Sequence, residues 1–262
     1  MNSEGLSFRF CSAIARRPGR SVVHGLREDD RGAPDYDRYV AEHEAYLAEL
    51  EEAGLTVHLL PALEAFPDSV FVEDTALCLP AGVVILNPGA PSRRGEAGMM
   101  ASDCRSLGLP VHEIGGPGTI DGGDILLTDR EILVGLSRRT SHDGFMALRD
   151  RVEPWGYRVR AVQTPDSVLH FKTDCCVLGP NSVFATPRLS TASCFADYDV
   201  IETPPGEEAA ANCIRVNDRV LVPAGYPATE RKLSAAGYDV RVVPASQAAL
   251  LDGGLSCQSL RF

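Results

Sequence analysis

Asp124-Ile125-Leu126-Leu127-Thr128-Asp129-Arg130-Glu131-Ile132-Leu133-Val134-Gly135 reads as two short apolar strands around a polar turn. That pattern is a β-hairpin signal. Downstream, Thr140 to Val152 has helical spacing, and Tyr157-Arg158-Val159-Arg160-Ala161-Val162 returns to strand-like residues. The unit is hairpin, helix, strand.

The unit recurs along the chain. Ser69-Val70-Phe71-Val72 onward pairs with Gly82-Val83-Val84-Ile85-Leu86. Cys175-Cys176-Val177-Leu178 pairs with Ser182-Val183-Phe184-Ala185 around Gly179-Pro180-Asn181. Asn212 to Val216 pairs with Arg219 to Pro223 around Asn217-Asp218. A fifth pair joins Leu255 to Leu260 with the N-terminal Ser12-Ala13-Ile14-Ala15. Helical stretches run from Tyr36 to Glu52 (closed by Gly54), Arg94 to Leu107 (stopped by Gly108) and Ala228 to Ala236 (closed by Gly237). Short strands follow at Val57 to Leu60, Val111 to Ile114 and Val240 to Val243. The period is roughly 40–50 residues, the size found in arrays and propellers. Pairing the last strand with the first would hide the sheet edges. The expectation is an α/β, five-bladed pseudosymmetric propeller of ββαβ units. No linker or composition shift divides it, so residues 1–262 form one domain.

Composition narrows the function. The 262 residues are 44% hydrophobic and 23% charged, with a formal net charge of −11. Those are globular values, and the acidity argues against nucleic acid or an anionic membrane surface. No apolar run reaches the roughly 20 residues of a membrane span. The N-terminus lacks a signal-peptide pattern. Eight cysteines are present, none in a CxxC pair, so neither a zinc ribbon nor a thioredoxin-type couple is expected. They read as reduced thiols in a cytoplasmic interior, seven of them small core residues.

In a ring of such units the hairpin-entry turns face the axis. They carry Glu73-Asp74, Asp121-Gly122-Gly123-Asp124, His170 to Asp174, Asn212, and Asp252 to Cys257. Their convergence makes one central acidic pocket with a thiol and an imidazole. Cysteine, histidine and carboxylate are the parts of a thiol nucleophile with an acid/base partner and an orienter. Each motif alone also has a plain structural reading as a turn, a solvated helix start or a buried small residue. Only the ordered set outweighs those readings.

That set resembles the dimethylarginine dimethylaminohydrolases of the guanidine-modifying pentein superfamily. The resemblance spans nearly the whole chain. It rests on PDSVFVED (Pro67 to Asp74), NPGAPSRRGE (Asn87 to Glu96), GTIDGGD (Gly118 to Asp124), VGLSRRT (Val134 to Thr140), LHFK (Leu169 to Lys172), AANCI (Ala210 to Ile214) and DGGLSC (Asp252 to Cys257). It implies the fivefold α/β propeller and hydrolysis of methylated arginine to citrulline and an amine. It also implies Cys257 as nucleophile through a covalent thiouronium, His170 as acid and base, and Asp121 as orienter. By the same resemblance Asp74, with Glu73 alongside, meets the guanidinium, and Arg93 and Arg139 meet the carboxylate. Asp68 and the carbonyl of Leu26 meet the α-amino group, with Leu251 and Asp252 on the closing loop. No metal or other cofactor is implied. The expected partner is a cationic amino acid, with a homodimer possible. Asn87 departs from the family, whose members carry Arg there. Arginine and agmatine deiminases and amidinotransferases carry His-x-Asp, where this chain has Lys172 two residues after His170. Losing that carboxylate favours a methylated substrate over arginine. The alternatives are an arginine deiminase-like or other guanidine hydrolase, or a non-catalytic pentein such as the ribosome anti-association factor of that fold.

Overall fold

The computed structural model describes residues 5–28 and 30–262. Among them fifteen strands form five three-stranded sheets, each an antiparallel pair joined to a third, parallel strand. The first blade holds β1 (Ser12–Arg16), α1 (Tyr36–Glu52) and β2 (Thr56–Leu60). The second holds β3 (Ala76–Leu79), β4 (Gly82–Ile85), α2 (Arg94–Ser106) and β5 (Val111–Glu113). The third holds β6 (Ile125–Leu127), β7 (Ile132–Leu136), α3 (His142–Val152) and β8 (Val159–Gln163). The fourth holds β9 (Cys175–Gly179), β10 (Ser182–Ala185), α4 (Pro187–Ser190) and β11 (Asp199–Glu202). The fifth holds β12 (Ile214–Val216), β13 (Arg219–Pro223), α5 (Pro227–Ala235) and β14 (Asp239–Val243), after which come α6 (Ser246–Ala249) and β15 (Leu260–Arg261). β15 returns to pair with β1 at Ala13 and Ile14. The architecture is the expected five-bladed α/β propeller.

Local chemistry sets the elements. Asp35 caps α1 by accepting from the Arg38 amide at 2.8 Å. Tyr39, His43, Tyr46, Leu47 and Leu50 then form its buried face. In the β6–β7 turn the Thr128 hydroxyl oxygen accepts from the amides of Arg130 and Glu131.

The core is a ring of five clusters, each shared by neighbouring blades. Ile14 and Leu60 pack with Cys78 and Val83, joining blades one and two. Val84 packs with Ile125 and Val134, then Leu126 and Leu133 with Cys175 and Val177. Cys176 and Phe184 pack with Cys213 and Val220, and Ile214 and Leu221 with Ala13 and Tyr46. No blade buries its apolar faces alone, so the ring closes or the core is open.

Four details differ from the sequence reading. The apolar run before β3 is not strand: Val72–Thr75 is a 3-10 turn, and Val70, Phe71 and Val72 are buried by packing against other elements. The fourth blade has a single helical turn at Pro187–Ser190, and the chain from Leu255 pairs only over Leu260–Arg261. Cys11 is exposed, so six cysteines besides Cys257 are buried where seven were expected. Among the described residues no helix is long and apolar enough to cross a membrane.

The Gly122-Gly123 pair lets the entry turns meet. A Cβ on Gly122 would lie 1.9 Å from the Glu73 carbonyl oxygen, and one on Gly123 would lie 2.7 Å from His170 Nδ1 and 2.9 Å from Asp74 Oδ1. Only hydrogen fits. Gly122→Ala is expected to destabilise by about 1–3 kcal/mol or more, the usual overpacking cost. Gly98→Ala, on open surface within α2, should instead stabilise by about 0.5–1 kcal/mol. Urea unfolding of both variants checks the contrast; equal midpoints would remove the steric account.

Candidate active site

One cavity of about 120 Å³ opens where the entry turns converge, with Cys257, His170 and Asp74 among its walls. Cys257 sits in the 3-10 turn Ser256–Gln258, just before β15. Its Sγ receives the Gly254 amide at 3.4 Å and Asn212 Nδ2 at 3.7 Å. Asn212 Oδ1 also accepts from the Ser256 amide at 3.1 Å. One carboxamide thus holds both the sulfur and the backbone beside it. It fits because Gly254 has no side chain: a Cβ there would lie 2.3 Å from Asn212 Cγ. Burial pushes the thiol up to about 11, and the charges of Glu73 and Asp74 add to that; the Gly254 and Asn212 donors act against it.

His170 Nε2 lies 2.9 Å from Asp121 Oδ2. Asp121 Oδ1 accepts the Gly89 amide at 2.7 Å, which fixes the carboxylate behind the ring. Burial lowers the imidazole's pKa, but the field of Asp74, the Asp121 hydrogen bond and the charge of Asp124 outweigh it and lift it to about 9. The resting pair is therefore thiol and imidazolium. The raised histidine value stabilises the fold fully below the ordinary histidine pKa, and that contribution is lost as pH rises through about 9. Asp124 is fully buried. It accepts from Ser137 Oγ at 2.7 Å, Thr140 Oγ1 at 2.6 Å and the Phe171 amide at 2.8 Å, tying the third blade to the histidine loop.

Asp74 accepts from the Gly123 amide at 2.9 Å and Arg93 Nη1 at 2.5 Å. Its carboxyl stays below the ordinary range: burial opposes ionisation, but His170 and Arg93 favour it more strongly. Arg93 is buried, and most of its donors are already committed, to Asp74, Glu96 and the Phe71 carbonyl. Arg139 also lines the cavity and makes no side-chain hydrogen bond or ion pair among the described residues. Asp68 Oδ1 holds the Leu26 amide at 2.8 Å, and burial raises its pKa. Leu26, Leu251 and Asp252 are at the rim. Asp252 Oδ2 accepts the Glu28 amide at 2.6 Å, fastening the segment that carries Leu26. Asn87, the departure from the family pattern, donates Nδ2 to the Gly118 carbonyl at 2.8 Å and steadies the loop leading to Asp121.

Of the residues singled out in the sequence, Cys257, His170, Asp74, Arg93, Arg139, Asp68, Leu26, Leu251 and Asp252 line this one cavity. Asp121 stands behind His170. Glu73 does not face the cavity. Its carboxylate takes Lys172 Nζ at 2.6 Å, Ser256 Oγ at 3.0 Å and Arg261 Nη2 at 3.2 Å, and lines a second cavity across the axis. Two cations and a hydroxyl occupy it there, so the expected contact beside Asp74 is replaced by a floor beneath the site. Sequence reading also missed the holding roles of Asn212, Asp124, Ser256 and Glu96. Asn212 and Asp124 had been visible as polar groups in entry turns, but nothing in the sequence said whom they would bond. Asp74, Asp121 and His170 each place one potential ligand atom within 4.8 Å of the others, a set able to approach a metal ion. Their atoms are already engaged by Arg93, Gly123, Gly89 and one another.

A five-bladed α/β ring of this kind is the pentein fold, here with a thiol and a carboxylate-backed imidazole at its axis. The N-terminal domain of the cyanobacterial arginine dihydrolase ArgZ has the same fold, at TM-score 0.83 and 20% identity over 97% of each chain. Nearer relatives identify the branch: the chain belongs to the dimethylarginine dimethylaminohydrolase family. The model for the eukaryotic N,N dimethylarginine dimethylhydrolases matches residues 33–188. The N(G),N(G)-dimethylarginine dimethylaminohydrolase of Pseudomonas aeruginosa is 41% identical over 254 residues, 97% of this chain and 100% of that one. The Streptomyces coelicolor enzyme of the same name is 32% identical over 95% of this chain and 96% of its own. A cysteine-to-serine mutant of the Pseudomonas enzyme, solved with citrulline, superposes at TM-score 0.93 with 40% identity over 97% of this chain and 100% of that one.

Two measurements check the electrostatics. Alkylation of Cys257 in the free protein should titrate near pH 11. Asn212→Asp should raise that midpoint, because it replaces a donor to sulfur with a negative charge; a midpoint unchanged or lowered would exclude the contact. For turnover, the alkaline limb should lie near pH 9. Asp121→Asn should move it to lower pH, and an unmoved limb would show that Asp121 does not support the imidazolium.

Proposed function

We propose that this chain hydrolyses Nω-methylated arginines, asymmetric dimethylarginine and monomethylarginine, to citrulline and the methylated amine. The observation that carries this reading is the single cavity that unites the Cys257 thiol, the Asp121-backed His170 and the buried Asp74 with the uncommitted Arg139. Family membership narrows the chemistry to the methylated guanidinium.

The roles follow from charge. Arg139 takes the substrate carboxylate, with Arg93 contributing its remaining donor; bidentate recognition favours arginine over lysine. Asp68 and the Leu26 carbonyl take the α-amino group. Asp74, ionised and shielded from water, takes guanidinium N–H donors. A bound cation beside Cys257 lowers the cost of the thiolate that burial imposes, and the thiol proton leaves to solvent. Cys257 Sγ then bonds to the guanidinium carbon. Dimethylamine departs with the proton of the His170 imidazolium, leaving a thiouronium on Cys257. Neutral His170 takes a proton from water as its oxygen adds to the same carbon. The carbon–sulfur bond breaks as the adduct's hydroxyl proton passes to solvent, releasing neutral citrulline and the thiolate. The whole chain acts as one catalytic domain, and eight free thiols suit a reducing, cytoplasmic interior.

Preference for methylated substrate follows from Lys172. It occupies the place of a second carboxylate and turns away to Glu73, so arginine's extra N–H donors would be buried unmet. Each costs on the order of 1–3 kcal/mol, roughly ten- to hundred-fold in rate. The test is kcat/KM for asymmetric dimethylarginine, monomethylarginine and arginine on one preparation. Arginine as the best substrate would overturn the reading in favour of a deiminase. Cys257→Ser should retain the fold and form no citrulline above a few per cent of wild type. Arg139→Ala should raise KM at least about tenfold with a smaller change in kcat.

A further inference from the structure

The second cavity, about 100 Å³ across the axis from Cys257, contains chemistry the reaction does not use. Its walls include Cys176 at the start of β9 and Cys213 just before β12. Their sulfur atoms are 2.9 Å apart, in an S–H···S contact. They come from adjacent blades and meet in one apolar cluster. Among the rim residues, Ser7, Phe10, Leu127 and Arg215 are only half-buried, so the cavity reaches solvent.

We propose that Cys176 and Cys213 form a reversible disulfide when a small hydroperoxide enters this cavity, and that the bond slows reaction at Cys257. Cys176, the less deeply buried of the two, attacks the peroxide O–O bond. Its sulfur gains a hydroxyl as a sulfenic acid, and the other oxygen leaves as water or an alcohol. Cys213 sulfur then attacks the sulfenic sulfur. The S–O bond breaks, water leaves with the Cys213 proton, and the S–S bond remains. Both steps together oxidise two thiols by two electrons and reduce one peroxide. Burial pushes the Cys176 thiol up, so only its small thiolate fraction attacks, the displaced oxygen taking the thiol proton, while the enclosing walls exclude bulky or charged reagents. The reaction is accordingly slow and selective for small neutral oxidants.

The coupling is geometric. A disulfide closes the sulfur separation to about 2.0 Å. Part of that shift falls on Cys213, whose chain neighbour Asn212 holds Cys257 Sγ and the Ser256 amide. Displacements approaching 1 Å at a reacting centre cost up to about a hundredfold. The proposal depends only on Cys257 being a reactive thiol and not on which arginine is the substrate.

The test uses the full chain. After limited hydrogen peroxide treatment and alkylation of remaining thiols, tryptic mapping should find residues 173–188 linked to residues 189–215 through Cys176 and Cys213. The link should vanish in Cys176→Ser and in Cys176→Ala, and be reversed by dithiothreitol. Separately, the haloacetamidine labelling rate of molecules that retain a free Cys257 should fall at least about tenfold in oxidised wild type but not in identically treated Cys176→Ser. Both cysteines recovered as unlinked alkylated thiols, or linkage instead through Cys175 or Cys194, would overturn the site. A link with unchanged Cys257 labelling would overturn the coupling.

Discussion

The approach of one backbone to another at Gly122 governs this molecule. The second and third blades bring their entry turns so close that a single methyl group would reach the Glu73 carbonyl. That contact puts Glu73 and Asp74 against Asp121 to Asp124, and the neighbouring Gly123 admits the His170 ring. Three negative charges around one imidazole would repel one another in isolation. Here a steric fit enforced by five shared core clusters holds them together, and the imidazole answers by staying protonated.

Charge at the axis is divided by a floor. Above it lie the thiol, the imidazolium and an ionised Asp74; below it, Glu73 is bound by Lys172 and Arg261. Adjacent residues of one turn thus serve opposite sides. This separation explains how an acidic entry turn can carry two carboxylates without both pressing on the same substrate. The thiol is held high at rest chiefly by its burial, and the negative charge of Glu73 and Asp74 adds to that.

Much of the fold was legible in the sequence because its signals are local. Gly54 closes α1 as read, and the alternation around Thr128 marks the third hairpin. Closure of the ring was legible from the repeat alone. The first entry turn was misread as strand because Val70-Phe71-Val72 is apolar for tertiary packing, which leaves the same pattern as pairing. α4 escaped because one turn begun at Pro187 has no helical period to detect. Within the site, the sequence showed Cys257, His170 and Asp121 only as polar groups of converging entry turns, and their roles came from the family resemblance. The direction of Glu73 and the bond from Asn212 to Cys257 were not legible. Each joins residues far apart in sequence, and each depends on which way a side chain turns after the blades have met.

The pairing of β15 with β1 also orders events in time. β1 is the first of the fifteen strands in sequence and β15 the last, so this sheet cannot form until both have been made. A pairing across such sequence separation carries a large loop-closure entropy, which disfavours its early formation. Cys257 lies three residues before β15 and is placed by the same closure. A chain without that pairing lacks the strand that anchors the segment carrying Cys257. The placement of Cys257 is thus tied to closure of the ring, so a thiol positioned in the site reports that the first and last strands have met.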